Sequence, residues 1–180
     1  MGISIENFVK LYKQNSKAKE STLVDFLNKH IKTEYVDVMT KQVICESIVK
    51  ATTHVKDGDR ELVKVNSFGR YIFFVMKLIE LYTDIEININ GDGDLAKYYD
   101  ELNKVGAIIM LTTGIPEKGI EFIPFSEYQE FKMILDMCIA DFEENEYSLT
   151  ALLYNFEQSL SLSEEVVTSA IEQLKKTENE

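Results

Sequence analysis

Only two prolines, Pro116 and Pro124, and eight glycines interrupt 180 residues, so the chain has few places at which a helix must stop. Between these breakers apolar side chains recur at three- and four-residue spacing, the period of a helix that buries one face. The same scarcity of turn residues excludes a many-stranded sandwich. With 45% hydrophobic residues the chain is too apolar for disorder, and it is long enough to bury a core without disulfides or a metal. The expected fold class is mainly α, a single-domain bundle of about seven helices over residues 1–180. Residues 1–35 are expected to form a basic helical segment that packs on this domain or extends from it, and residues 175–180 to fray.

Ser4 stands before Ile5, Phe8, Val9 and Tyr12, which predicts a capped amphipathic helix. Leu23, Val24, Phe26 and Leu27 mark a second helix ending near His30. A longer third, over 36–52, carries Val36, Met39, Val43, Ile44, Ile48, Val49 and Ala51 as its apolar stripe. Ser67 is expected to cap the most apolar helix, over 68–82, whose apolar residues spread round most of the circumference. Such a helix suits the centre of a bundle or contact with a partner. Residues 95–105 read as helix stopped by Gly106, whereas 107–113 are ambiguous by period. Ser126 with Gln129 gives a capping-box signature for a helix reaching about residue 145, and Ser148 and Ser163 open two more. The pattern leaves room for a small β-hairpin near residues 54–66 and 84–90, where Val63 and Val65 would join the alternating Ile85, Ile87 and Ile89.

Charge is distributed unevenly. Residues 1–70 hold 12 basic and 9 acidic side chains, and residues 71–180 hold 7 and 22, so +3 and −15 make up the net −12. This balance argues against direct nucleic-acid binding. The acidity is densest at Asp141, Glu143, Glu144 and Glu146, and again at Glu164, Glu165 and Glu172. It reads either as a solvated face with charges that favour helix dipoles, or as a surface that meets a basic partner or imitates nucleic-acid phosphate. Lys10, Lys13, Lys17 and Lys19 offer the opposite sign, which leaves head-to-tail self-association open. Tyr98 and Tyr99 are adjacent on one helix and cannot both point inward, so at least one is available to a partner or a neighbouring loop.

Reactive constellations are scarce. His30 and His54 have no local Ser-His or Cys-His signature and read as cap or surface residues. No phosphate-binding glycine loop, HExxH or CxxC occurs. Asn88, Asn90, Asp92 and Gly93 fall on positions of a calcium loop, but Tyr99 stands where its bidentate Glu belongs, so a polar turn capping the next helix is expected instead. Cys45 and Cys138 are expected as reduced core thiols. No catalytic residue, cofactor or metal is expected. The first residues lack the charge and apolar pattern of a secretory signal, and no run is long enough to span a membrane. A cytoplasmic setting in a bacterial host, or the virion, is the expectation.

The stretches VICESIVKAT (43–52), KVNSFGRY (64–71) and LYTDIE (81–86) resemble small acidic helical proteins of phages and prophages of Gram-positive bacteria, over roughly residues 20–160. The resemblance implies that such a protein, when encoded among morphogenesis genes, builds or helps assemble the particle; it supplies no catalytic residue. The leading expectation is therefore a non-enzymatic phage protein acting through protein-protein contacts, as virion component or assembly factor. Its candidate contact residues are Lys10, Lys13, Lys17, Tyr98, Tyr99, Asp141, Glu143, Glu144 and Glu146. A small acidic inhibitor of a host enzyme or defence protein is the alternative, and an enzyme on a helical scaffold around His30 or His54 a further one.

Overall fold

A computed structural model describes residues 2–57, 60–63, 65–87 and 92–147, and for 54–57, 60–63, 92–93 and 146–147 the backbone alone. Among the described residues the protein is mainly helical. The order is β1 (Ile3–Ser4), α1 (Ile5–Asn15), α2 (Glu20–Asn28), α3 (Val38–Thr53), β2 (His54–Asp57), β3 (Arg60–Val63), α4 (Ser67–Tyr82), β4 (Ile85–Glu86), α5 (Asp92–Lys104), α6 (Ala107–Thr113), a 3-10 turn (Pro116–Lys118) and α7 (Phe125–Tyr147). The backbone falls into two compact units, 1–138 and 139–180, and of the second only helical residues 139–147 are described. The helices expected from Ser148 and Ser163, and the turn over 88–91, lie outside the described residues.

Local chemistry explains most element boundaries. Ser4 has extended backbone and its hydroxyl accepts the Asn7 N–H, the expected cap of α1. That helix buries Ile5, Phe8 and Tyr12, spaced to lie on one face, and packs on α2 and α5. Phe8 meets Phe26 of α2 at 5.4 Å between ring centroids. Helix α4 forms the apolar centre of the first unit: Ile72, Phe74, Val75, Met76, Leu78, Ile79 and Tyr82 are all buried. At roughly 1.5–3 kcal/mol for each large apolar side chain removed from water, this helix supplies a large share of the hydrophobic stabilisation. Its cap is Asn66 rather than Ser67, since the Asn66 side chain accepts the Gly69 N–H at 2.8 Å and Ser67 already has helical backbone. Residues 107–113 are helical, and Gly114 ends them with φ +69°. An alanine Cβ there would lie 2.0 Å from the Ile120 carbonyl oxygen, so a side chain is excluded on two grounds.

Three further expectations need correction. The hairpin forms, with His54 opposite Val63 and Asp57 opposite Arg60, but β4 does not join it. It pairs in parallel with β1, Ile3 opposite Ile85 and Ser4 opposite Glu86. Parallel partners are distant in sequence, so local alternation identified the strand and not its mate. Ser126 lies inside α7; the helix starts one residue earlier, and the Glu121 carboxylate accepts the Phe125 N–H. The largest error concerns α3, whose orientation creates the site described next.

Candidate functional site

Helix α3 turns Lys41, Cys45, Ile48, Val49, Thr52 and Thr53 inward. The expected stripe is partly reversed, because Met39 and Val43 face solvent at about 60% exposure each. On α7, Glu127, Phe131, Ile134 and Leu135 are buried at the matching helical spacing. Each helix thus begins its buried row with a charged residue, and the two charges meet. Lys41 is wholly buried, and its Nζ lies 2.8 Å from Glu127 Oε2 and in hydrogen-bond contact with Glu130 Oε2. The Tyr35 ring centroid is 5.3 Å from the same nitrogen.

Glu127 Oε2 is the hub of this cluster. Besides the Lys41 ammonium it accepts the Tyr82 hydroxyl at 2.5 Å and the Val36 N–H at 3.1 Å. Burial by itself would push Lys41 toward the neutral amine, but Glu127 and Glu130 overcome it and hold the lysine pKa above its ordinary value. Burial likewise raises the Glu127 carboxyl, and Lys41, Tyr82 and Val36 more than reverse it, leaving its pKa low. Desolvation and the adjacent carboxylate push Tyr82 strongly upward. The cluster ties together α3, α4, α7 and the segment before α3, because its four side chains and one backbone amide come from those elements.

A second polar junction was missed at the sequence level. His30 is largely buried rather than a surface cap: its Nδ1–H donates to Asp84 Oδ1 at 2.8 Å, and Phe8 and Phe26 stand edge-on to its ring at 5.6 and 4.8 Å. The Asp84 N–H donates to the His30 carbonyl, and the Asp84 carbonyl accepts the Ile3 N–H. The pair therefore clasps the end of α2 to the β1–β4 strands. The Asp84 carboxylate thus orients the His30 imidazole. The His54 side chain lies outside the described residues. Among those described, no three His, Cys, Asp or Glu side chains are placed to hold a metal.

The sequence-predicted contact residues are placed as follows. Lys10, Lys13 and Lys17 are exposed, and none forms an ion pair among the described residues. Asp141, Glu143 and Glu144 are exposed on α7, and the Glu146 side chain lies outside the described residues. The lysines belong to the first unit and these acids to the second. Tyr98 and Tyr99 are both half-buried. Tyr99 is engaged within the chain: its ring meets Tyr71 edge-on at 6.0 Å, and the hydrogen bond to Tyr71 helps push its phenol up to about 12. Cys45 is buried, its thiol raised to about 12 chiefly by desolvation, and Cys138 is half-buried; neither is in a disulfide.

A signal for the buried cluster was present in the sequence. Extending the row Cys45, Ile48, Thr52 back by four residues reaches Lys41, and extending Phe131 back by four reaches Glu127. Comparison with protein-family models, with curated protein sequences and with solved structures found no match for this chain.

Proposed function

We propose that this protein works through protein-protein contacts, as a phage virion component or assembly factor, in the cytoplasm of a bacterial host or in the particle, and not as an enzyme. The observation that carries this reading is the state of the surface charge. Lys10, Lys13 and Lys17 stand exposed at one end of the sequence and Asp141, Glu143 and Glu144 stand exposed further along, with no ion pair to either set among the described residues. Exposed charges of this kind add little to folding, and they steer and select partners. The interior charges, by contrast, are already bound to one another.

Basic and acidic sets on one chain suit a partner with a basic surface or a second copy placed head to tail. The test is fractionation of cells that produce particles. An assembly protein or virion component co-sediments with particles or their precursors, and Lys10→Gln, Lys13→Gln and Lys17→Gln combined weaken that association, as does raised salt. A chain that stays out of particles and precursors and instead holds a host enzyme would replace this reading with that of an acidic inhibitor.

A further inference from the structure

We infer that a hollow between α3, α4 and α5 is the seat of a two-fold contact with a second copy of this chain, in which each copy places Phe68 in the other's hollow. The hollow has a volume of about 280 Å³. Its walls are Phe68 and Phe73 of α4 and Leu95 of α5, and it exists because Ala51, Gly69 and Ala96 bring little or no side chain to the same junction. An apolar cavity of roughly 150 Å³ already holds a benzene ring, so this one admits a phenyl group. All of these residues belong to the first unit, and the inference is independent of the charges on which the proposed function rests.

Beside the hollow stands a projection that fits it. Phe68 is 71% exposed, the most exposed large apolar side chain among the described residues. Tyr71, three residues on and therefore on the same side of α4, is exposed too, as is Val65 just before the helix. Tyr99 of α5 meets Tyr71 edge-on and continues this apolar rim. A ring that protrudes into water leaves its hydrophobic free energy unused in the single chain, and burial against a partner recovers it.

The occupant is a second copy because projection and hollow lie side by side on one face. An isologous interface presents the same patch from both chains, so the patch must be self-complementary. Two copies related by a two-fold axis beside Phe68 place each ring against the partner's Phe73, the partner's Leu95 and the partner's Ala96, and two projections fill two hollows at once. The charges at the rim obey the same symmetry. Lys97 and Asp100, one turn apart, are both exposed on α5. Antiparallel approach of two such helices sets each Lys97 toward the partner's Asp100, whereas a rim of one sign would oppose a two-fold contact.

The experiment is sedimentation equilibrium of the full chain over a wide range of concentration, at low and at high salt. The expected result is a monomer-dimer equilibrium that persists at high salt, because screening weakens exposed rim charges and leaves apolar burial in place. Phe68→Ala weakens the dimer by about 30-fold or more, the effect of losing a central interface aromatic. Urea unfolding at concentrations where the chain is monomeric stays unchanged in that variant, because the ring lies outside the core. Ala96→Leu, which fills the hollow and keeps the projection, weakens association to a similar degree. Mixing the two variants restores a heterodimer that neither forms with itself, since the ring of one enters the open hollow of the other. A chain that is monomeric at every concentration overturns the proposal, and so does a dimer unaffected by Phe68→Ala. A dimer that survives Phe68→Ala but is lost with Lys10→Gln, Lys13→Gln and Lys17→Gln combined belongs to the charged surfaces, which overturns this inference and leaves the proposed function standing.

Discussion

Lys41 and the lysines of α1 are the same side chain in two environments. Lys41 has no solvent exposure and two carboxylates on its nitrogen, whereas Lys10 and Lys13 stand on the outer face of α1 with no ion pair among the described residues. A buried ion pair that loses one partner leaves an uncompensated charge in the interior, while an exposed lysine loses only a hydrated charge. Interior charge therefore governs whether this chain folds to one arrangement, and surface charge governs what it meets.

The sharpest way to break that contrast is Lys41→Met. Glu127 and Glu130 would face each other without a cation, and the cost should be about 3–5 kcal/mol, read from urea unfolding. Tyr82→Phe should cost less, about 1.5–3 kcal/mol, because it removes a hydrogen bond to a charged oxygen and leaves the ring packed in the core. The triple substitution Lys10→Gln, Lys13→Gln and Lys17→Gln should leave stability within about 0.5 kcal/mol and yet weaken association.

Two smaller effects sharpen the same division between interior and surface. Cys45, its thiol raised to about 12 and its side chain buried, should react with a thiol reagent at neutral pH more slowly than half-buried Cys138. Replacing each cysteine in turn by serine assigns the phases. At alkaline pH, Tyr99 favours its neutral form in the folded chain, with a pKa near 12 against an ordinary value of 10.0. Its contribution to stability is complete below pH 10 and is lost as pH rises through about 12. Tyr99→Phe should flatten this part of the stability profile, checked by unfolding at a series of pH values.

Much of the architecture was legible in the sequence, and the misses have a common cause. The apolar helix α4 was legible as a helix, with a bundle centre or a partner contact both open; the burial of seven of its residues gives it the central place in the first unit. The Ser4 cap and the β2–β3 hairpin were legible because both are local. What failed was non-local. Met39 and Val43 are apolar and Lys41 is not, so hydrophobicity alone turns the first turns of α3 the wrong way, while Ile48 and Val49 are buried as expected; the carboxylates of Glu127 and Glu130, more than 80 residues later, make the lysine the inward residue. The parallel mate of β4 lies at the other end of the folded unit's sequence, at Ile3 and Ser4. His30 and Asp84 are 54 residues apart, and nothing near either one signals the other. Among the candidate contact residues, Lys10, Lys13, Lys17, Asp141, Glu143 and Glu144 are exposed, whereas Tyr99 meets Tyr71.

The division between interior and surface charge is tested most directly by one paired measurement, equilibrium urea unfolding of Lys41→Met beside the triple lysine variant of α1. A large fall in the unfolding free energy for Lys41→Met, with the triple variant within about 0.5 kcal/mol of the parent, is the predicted result. Equal losses in the two variants, or a Lys41→Met chain as stable as the parent, would contradict it.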